Sequence, residues 1–184
     1  MLPNVGVVMA ESAIIVAVSE AEPLVGELRA QFDSASKLGI PAHITVLYPF
    51  LPPERLTQLI LEGVHSALAE VQPFDFRLAT VGRFPGVVYL APECSDPFVD
   101  LVAKIVQQFP EYPPYGGKFQ SVIPHLTVSD CGELQADTVE AQLLALMKAE
   151  GPISGRCDAL TLIENSSGRW SEKSYIRLGE AFQP

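Results

Sequence analysis

Basic residues are scarce in this chain. Twelve Lys and Arg stand against 22 Asp and Glu among 184 residues, leaving a net charge of −10. Proteins hold a long phosphate backbone by neutralising it with lysine and arginine, so no stable complex with long nucleic acid is expected, and only a small or terminal phosphate fits. Cysteine is scarce as well. Cys94, Cys131 and Cys157 are odd in number and widely spaced, which gives neither a disulfide framework nor a zinc motif of the Cys-x-x-Cys kind. A reducing cytoplasm is the expected compartment. His43, His65 and His125 are far apart with no carboxylates clustered beside them, so neither a catalytic metal nor a cofactor is expected. Long apolar runs are also missing. The stretch MLPNVGVVMAESAIIVAV has no basic leader and is broken by Glu11 and Ser12, so neither a signal peptide nor a membrane anchor is predicted.

What is present is core material. With 48% hydrophobic and 18% charged residues, the chain can bury a substantial interior, and residues 1–184 are expected to form one domain of two lobes. Residues 13–18 (AIIVAV) read as a buried strand, and Leu24, Val25, Leu28 and Phe32 recur at helical spacing after it. SASKLG reads as a loop. Residues 42–48 (AHITVLY) read as a strand stopped by Pro49, and Pro52-Pro53 opens a second helix carrying Leu56, Leu59, Ile60, Val64 and Leu68. FDFRLATVGRF and VVYLAPE, separated by Pro85-Gly86, predict a hairpin. A helix over 97–109, a strand in VIPHLTVSD, a helix over about 137–149, and strands over 157–164 and 170–180 around an Asn165–Gly168 turn complete the pattern. The expected fold class is α+β.

One internal repeat stands out. IPAHITVLYPF in the first half and VIPHLTVSD in the second share a His-x-Thr-x core on a β-branched strand, which points to two related lobes about a pseudo-twofold. Strand alternation puts His43, Thr45 and Leu47 on one face, and His125, Thr127 and Ser129 on one face of the other copy. An imidazole two residues from a hydroxyl is costly on a dry face and cheap in a wet groove. If the two faces converge, two imidazoles and two hydroxyls surround one small anion. Threonine hydroxyls can donate to non-bridging phosphate oxygens, while one imidazole takes a proton from a nucleophile and the other gives one to a leaving oxygen.

On these two motifs, the chain resembles the 2H phosphoesterase superfamily, the group of 2'-5' RNA ligase-like and cyclic phosphodiesterase proteins. The resemblance implies a bilobal α+β fold with two antiparallel-rich sheets, helices packed outside and a central cleft. It also implies a metal-independent site with His43, Thr45, His125 and Thr127 as motif residues. The implied reaction is hydrolysis of 2',3'-cyclic phosphate ends to 2'-phosphate, or reversible 2'-5' joining, with His43 as acid and His125 as base. The expected substrate is a small nucleotide or an RNA end. Because the two lobes of one chain already close such a site, a monomer is expected.

Secondary candidates surround the motifs. Lys118, in a Gly-Gly loop before the second motif, could meet a phosphate or simply be solvated. Tyr115, Phe84, Phe50 and Trp170 could offer a face for a base or belong to the core. Ser129 could touch the site or cap its strand, and His65 reads as a helix-surface residue. Arg83, Lys118, Arg169, Lys173 and Arg177 are the cations nearest the expected loops and strand ends. Two other functions fit the residues: a nucleotide- or phosphate-binding module that uses the same cleft without turnover, and, more weakly, a metal-dependent hydrolase.

Overall fold

In the computed structural model, which describes residues 10–119 and 121–180, the apolar run after Glu11 forms strand β1 (Ser12–Ala17). Every residue of β1 except Ala17 is buried, as befits a central strand covered on both faces. Helix α1 (Glu22–Phe32) follows, with Pro23 in its first turn where the missing N–H costs nothing. The SASKLG segment, expected as a loop, instead begins with a one-turn helix α2 (Ser34–Lys37). Its cap explains it: the Asp33 carboxylate accepts the Ala35 N–H at 2.9 Å, satisfying a donor that the helix start leaves free.

The remaining elements are β2 (His43–Leu47), α3 (Gln58–Leu68), β3 (Phe74–Phe84), β4 (Val87–Pro92), α4 (Asp96–Gln108), β5 (Leu126–Ser129), α5 (Glu133–Glu150), β6 (Ile153–Cys157), β7 (Ala159–Glu164) and β8 (Ser171–Arg177). Two further corrections arise here. Pro53–Arg55 forms a 3-10 turn, so α3 starts only at Gln58. The stretch before residue 157 is a separate strand, β6, paired with the first half of β3. Its sequence, ISGRC, turns Ile153 and Cys157 inward and Ser154 and Arg156 outward, but five residues around a central glycine carry little strand signal. Gly155 is there because a side chain would collide with the Phe76 ring, 2.6 Å from where its Cβ would sit.

The sheet is mixed with helices and antiparallel throughout. The two expected sheets are in fact one, eight strands in the order β6-β3-β4-β5-β2-β1-β7-β8. Its halves meet where the two motif strands pair, at Ile44 opposite Leu126. That junction merges the sheets because the aliphatic faces of β2 and β5 share one core. Ile44, Val46, Leu126 and Val128 lie in it with Phe98, Leu101 and Ile105 of α4, Val64 and Leu68 of α3, and Val139 and Leu143 of α5. The helices are exchanged across the junction: α1 from the first half packs on β5, and α4 from the second packs on β2. A smaller cluster of Ala13, Ile15, Ile40 and Ile163, with Tyr48 and Trp170 against it, forms separately. Among the described residues, no helix is long and apolar enough to cross a membrane.

Candidate active site

The site begins with register. Antiparallel pairing of Ile44 with Leu126 sets His43 across from Thr127 and Thr45 across from His125, with the two histidines on the diagonal, roughly 7–8 Å apart at the backbone. Each imidazole thus has the other strand's threonine beside it. His43, Thr45 and Thr127 are partly exposed while Ile44, Val46, Leu126 and Val128 are buried, so the polar groups face outward from the core as alternation requires.

Both strands then break alternation at the same place. In the β1–β2 ladder Ile14 and Ile15 face Leu47 and Thr45, leaving Val46 as an extra residue. In the β4–β5 ladder Val88 and Tyr89 face Ser129 and Thr127, leaving Val128 as the extra one. Each is a β-bulge, which shifts the following side chains by one position. Leu47 and Ser129 are therefore turned inward, each at 0% exposure, and the next residues, Tyr48 and Asp130, return to the site side as cavity-lining groups. Leu47 was expected on the histidine face and is in the main core instead. The Ser129 hydroxyl is buried with no hydrogen-bond partner and lines neither cavity described below.

The imidazoles are held alike. His43 Nδ1 lies 2.8 Å from the Pro41 carbonyl oxygen, and His125 Nδ1 lies 2.6 Å from the Ile123 carbonyl oxygen. A carbonyl only accepts, so each Nδ1 carries the hydrogen and donates it, leaving Nε2 as the working nitrogen. Their surroundings differ. His125 stands against the rings of Phe84 and Tyr89, each with its centroid 5.1 Å away. His43 instead feels the buried guanidinium of Arg29, whose charge acts on it. Burial lowers both pKa values from the ordinary 6.5. For His43, the Arg29 guanidinium and the other imidazole add to the loss, and it is pushed down to about 4.

A cavity of about 530 Å³ joins the two motifs. It is lined by His43, His125 and Thr127, with Phe84, Tyr115 and Phe119 as aromatic wall and Asp33 and Asp130 as acidic rim. His43 also borders a second cavity of about 330 Å³, with Thr45, Tyr48, Trp170 and Ile163. Of the residues singled out in the sequence, His43, Thr45, His125, Thr127, Tyr115, Phe84 and Trp170 thus border one or both spaces. Lys118 is exposed and borders neither. Phe50 is core, 4% exposed and packed on Phe109 and Tyr112. Arg83 is spent on α5, where it pairs with Glu133, Asp137 and Glu140. His65 lies on α3, away from both cavities.

Sequence reasoning missed Arg29, Asp33, Tyr48, Phe119 and Asp130. Tyr115 reaches the cavity from a loop in which its own backbone is left-handed (φ 53°), and its N–H donates to the Tyr48 carbonyl at 2.6 Å. Asp130 is drawn to the rim by Ser34, whose amide donates to it at 2.9 Å and whose hydroxyl donates to it as well. Only the bulge makes Asp130 visible.

Two motif strands paired at the centre of an antiparallel sheet, with both imidazoles and Thr127 on one cavity and Thr45 on the neighbouring one, fit the 2H phosphoesterase class. The chain belongs to the 2'-5' RNA ligase superfamily, whose profile matches residues 17–169. It is 27% identical over 165 residues to a Bacillus cereus (strain B4264) protein with a provisional phosphoesterase name, covering 83% of this chain and 87% of that one. A Bacillus anthracis (strain A0248) protein of the same name matches at the same identity and extent. Among solved structures, E. coli LigT complexed with 3'-AMP superposes with a TM-score of 0.55 at 16% identity, over 94% of this chain and 99% of that one. A Thermus thermophilus protein gives 0.54 at 16%, over 94% and 100%. At such identities the likeness to the solved structures is one of fold.

Proposed function

We propose that this chain is a metal-independent phosphodiesterase of the 2H type. It opens 2',3'-cyclic phosphate ends to 2'-phosphates, or acts reversibly on 2'-5' linkages, in small or terminal nucleotides. The observation that carries this is the matched pair: two imidazoles, each locked by an i−2 carbonyl with Nε2 left to act, bordering one cavity with a motif threonine at its wall. The halves of the sheet serve as the two lobes and the cavity at their junction as the cleft.

In the hydrolytic direction, one neutral imidazole takes a proton from water as the water oxygen bonds to phosphorus. The P–O3' bond breaks, and the other imidazole, protonated, delivers its proton to the departing ribose oxygen. Thr45 and Thr127 donate to the non-bridging oxygens. The resemblance assigns the acid to His43 and the base to His125. Among the described residues no lysine or arginine lines the main cavity, so the charge it tolerates best is the single one of a cyclic phosphodiester. Phe84, Tyr115 and Phe119 give such a substrate an apolar wall to rest its base on. Crystals of E. coli LigT with 3'-AMP and with phosphate support a phosphate-bearing ligand in this fold. Among the described residues no group of three or more His, Cys, Asp or Glu is placed to hold a metal. A monomer acting in the cytoplasm is part of the same proposal.

The test is turnover of 2',3'-cyclic mononucleotides followed by phosphorus NMR. The 2'-phosphate is expected from the wild-type chain in the presence of chelator. His43→Ala and His125→Ala are each expected to lose about 10²–10⁴-fold in rate with unchanged circular dichroism. Full activity in either variant overturns the reading, and binding without turnover in the wild type makes the chain a nucleotide-binding module.

A further inference from the structure

We propose that Arg29 is a positioning residue for His43: its guanidinium, clamped in the interior by Asp33 and Glu22, fixes the backbone that carries the imidazole and stands as a permanent positive charge behind it. This rests on the reading of His43 as a reacting group. Arg29 is 1% exposed. Its Nε and Nη2 both donate to Asp33 Oδ2, at 3.0 and 2.8 Å, and Nη1 lies 3.4 Å from Glu22 Oε1. The same Nη2 donates to the Ile40 carbonyl at 3.1 Å, and the same Glu22 oxygen accepts the Ala42 N–H at 2.6 Å. The Ala42 carbonyl accepts from Val18 N–H at 2.8 Å, and the Pro41 carbonyl holds His43 Nδ1. Every residue from Ile40 to His43 is therefore tied down, two of them by the Arg29–Glu22 pair.

The expense of this arrangement argues for a positional demand. Burying a guanidinium and a carboxylate costs more than filling the same volume with aliphatic groups, so packing alone does not call for it. His125 is the internal contrast. It has the same carbonyl lock, but phenyl and phenol rings stand beside it in place of a guanidinium. The charged and titratable groups around His43 are Arg29, Asp33 and Glu22 from α1 and its C-terminal end, His125 and Asp130 from the β5 side, and Tyr48 and Tyr115 from the walls of the two cavities. Asp33 and Glu22 are engaged by Arg29 itself, and Asp130 by Ser34.

Arg29→Lys keeps the charge and loses the fork, whereas the double variant Arg29→Met/Asp33→Asn removes both charges without stranding a buried carboxylate. The imidazole resonances of His43 and His125 are titrated by NMR in each, and kcat and KM are measured across pH. In the double variant, His43 is expected to titrate higher than in the wild type, and the acidic limb of kcat/KM to move with it, while His125 stays in place. In Arg29→Lys, His43 is expected to titrate as in the wild type while kcat falls about 10–100-fold with little change in KM. An unmoved His43 titration in the folded double variant, or an undiminished kcat in Arg29→Lys, overturns the proposal. Neither result touches the assignment of His43 to the reaction, which His43→Ala tests separately.

Discussion

At the level of single residues, the two histidines carry opposite demands with similar chemistry. In the proposed reaction, turnover needs one neutral and one protonated imidazole at the same moment. Burial lowers both, and for His43 the Arg29 charge and the other imidazole take it down to about 4, while His125 is shifted down from 6.5 by burial alone. Above both values each ring is neutral and the proton donor is missing. Below about 4 each ring is charged and the base is missing. The free chain is therefore expected to show a bell-shaped kcat/KM with its maximum on the acidic side of neutrality, and an optimum at alkaline pH contradicts it. Stability follows the same sign. His43 binds its proton less readily folded than unfolded, so its contribution is complete above 6.5 and is lost as pH falls through about 4. Melting temperatures across that window should decline, and His43→Gln should blunt the decline. The convergence of His43 and His125 on one cavity could be read from the repeated motif. The Arg29 network could not, because a lone arginine on an amphipathic helix looks like any solvated cation until the fold buries it.

Among elements, the strands that carry the motifs were legible and their distortions were not. Alternation in AHITVLY and VIPHLTVSD gives the right faces for His43, Thr45, His125 and Thr127, then fails after Val46 and Val128, because a bulge adds a residue without leaving a composition signal. Ser129 accordingly reads as a site candidate from the sequence, and it is turned into the core instead. Strand β6 and helix α2 were missed for different reasons, one being five residues around a central glycine and the other stabilised by a cap from Asp33 rather than by its own propensity. The hairpin of β3 and β4 holds a position whose role was equally hidden. The Tyr89 ring that backs His125 lies directly over Gly82, with ring atoms 2.3–2.6 Å from where a Cβ would sit. A Cβ cannot share that space, so Gly82→Ala must displace the Tyr89 ring from its place beside His125. The expected cost is about 1–3 kcal/mol of stability by urea unfolding, with kcat reduced about 10–100-fold. Wild-type kcat in a folded Gly82→Ala chain would show that Tyr89 does not help to place His125.

For the molecule as a whole, the decisive property is its field. The net charge is −10, and several of its few cations are committed to carboxylates: Arg29 to Asp33, Arg77 to Glu93, Arg83 to three acids on α5, and Arg156 to Asp75. The cavity rim adds Asp33 and Asp130 and, among the described residues, no lysine or arginine. On the proposed function, an approaching anion is therefore repelled at long range and gripped only on arrival, by hydroxyls and imidazoles. Repulsion grows with the number of phosphates the substrate drags along, whereas the grip does not. Salt shortens the reach of that field, to about 10 Å at 0.1 M. A basic groove that releases counterions loses affinity steeply as salt is added; here the sign is reversed. The kcat/KM for a cyclic mononucleotide should be nearly insensitive to salt. For an oligonucleotide ending in the same cyclic phosphate, it should start lower and climb with added salt toward the mononucleotide value. A steep fall with salt for the oligonucleotide would mean that a basic path to the cavity exists, and that terminal phosphates of long RNA are within its reach after all.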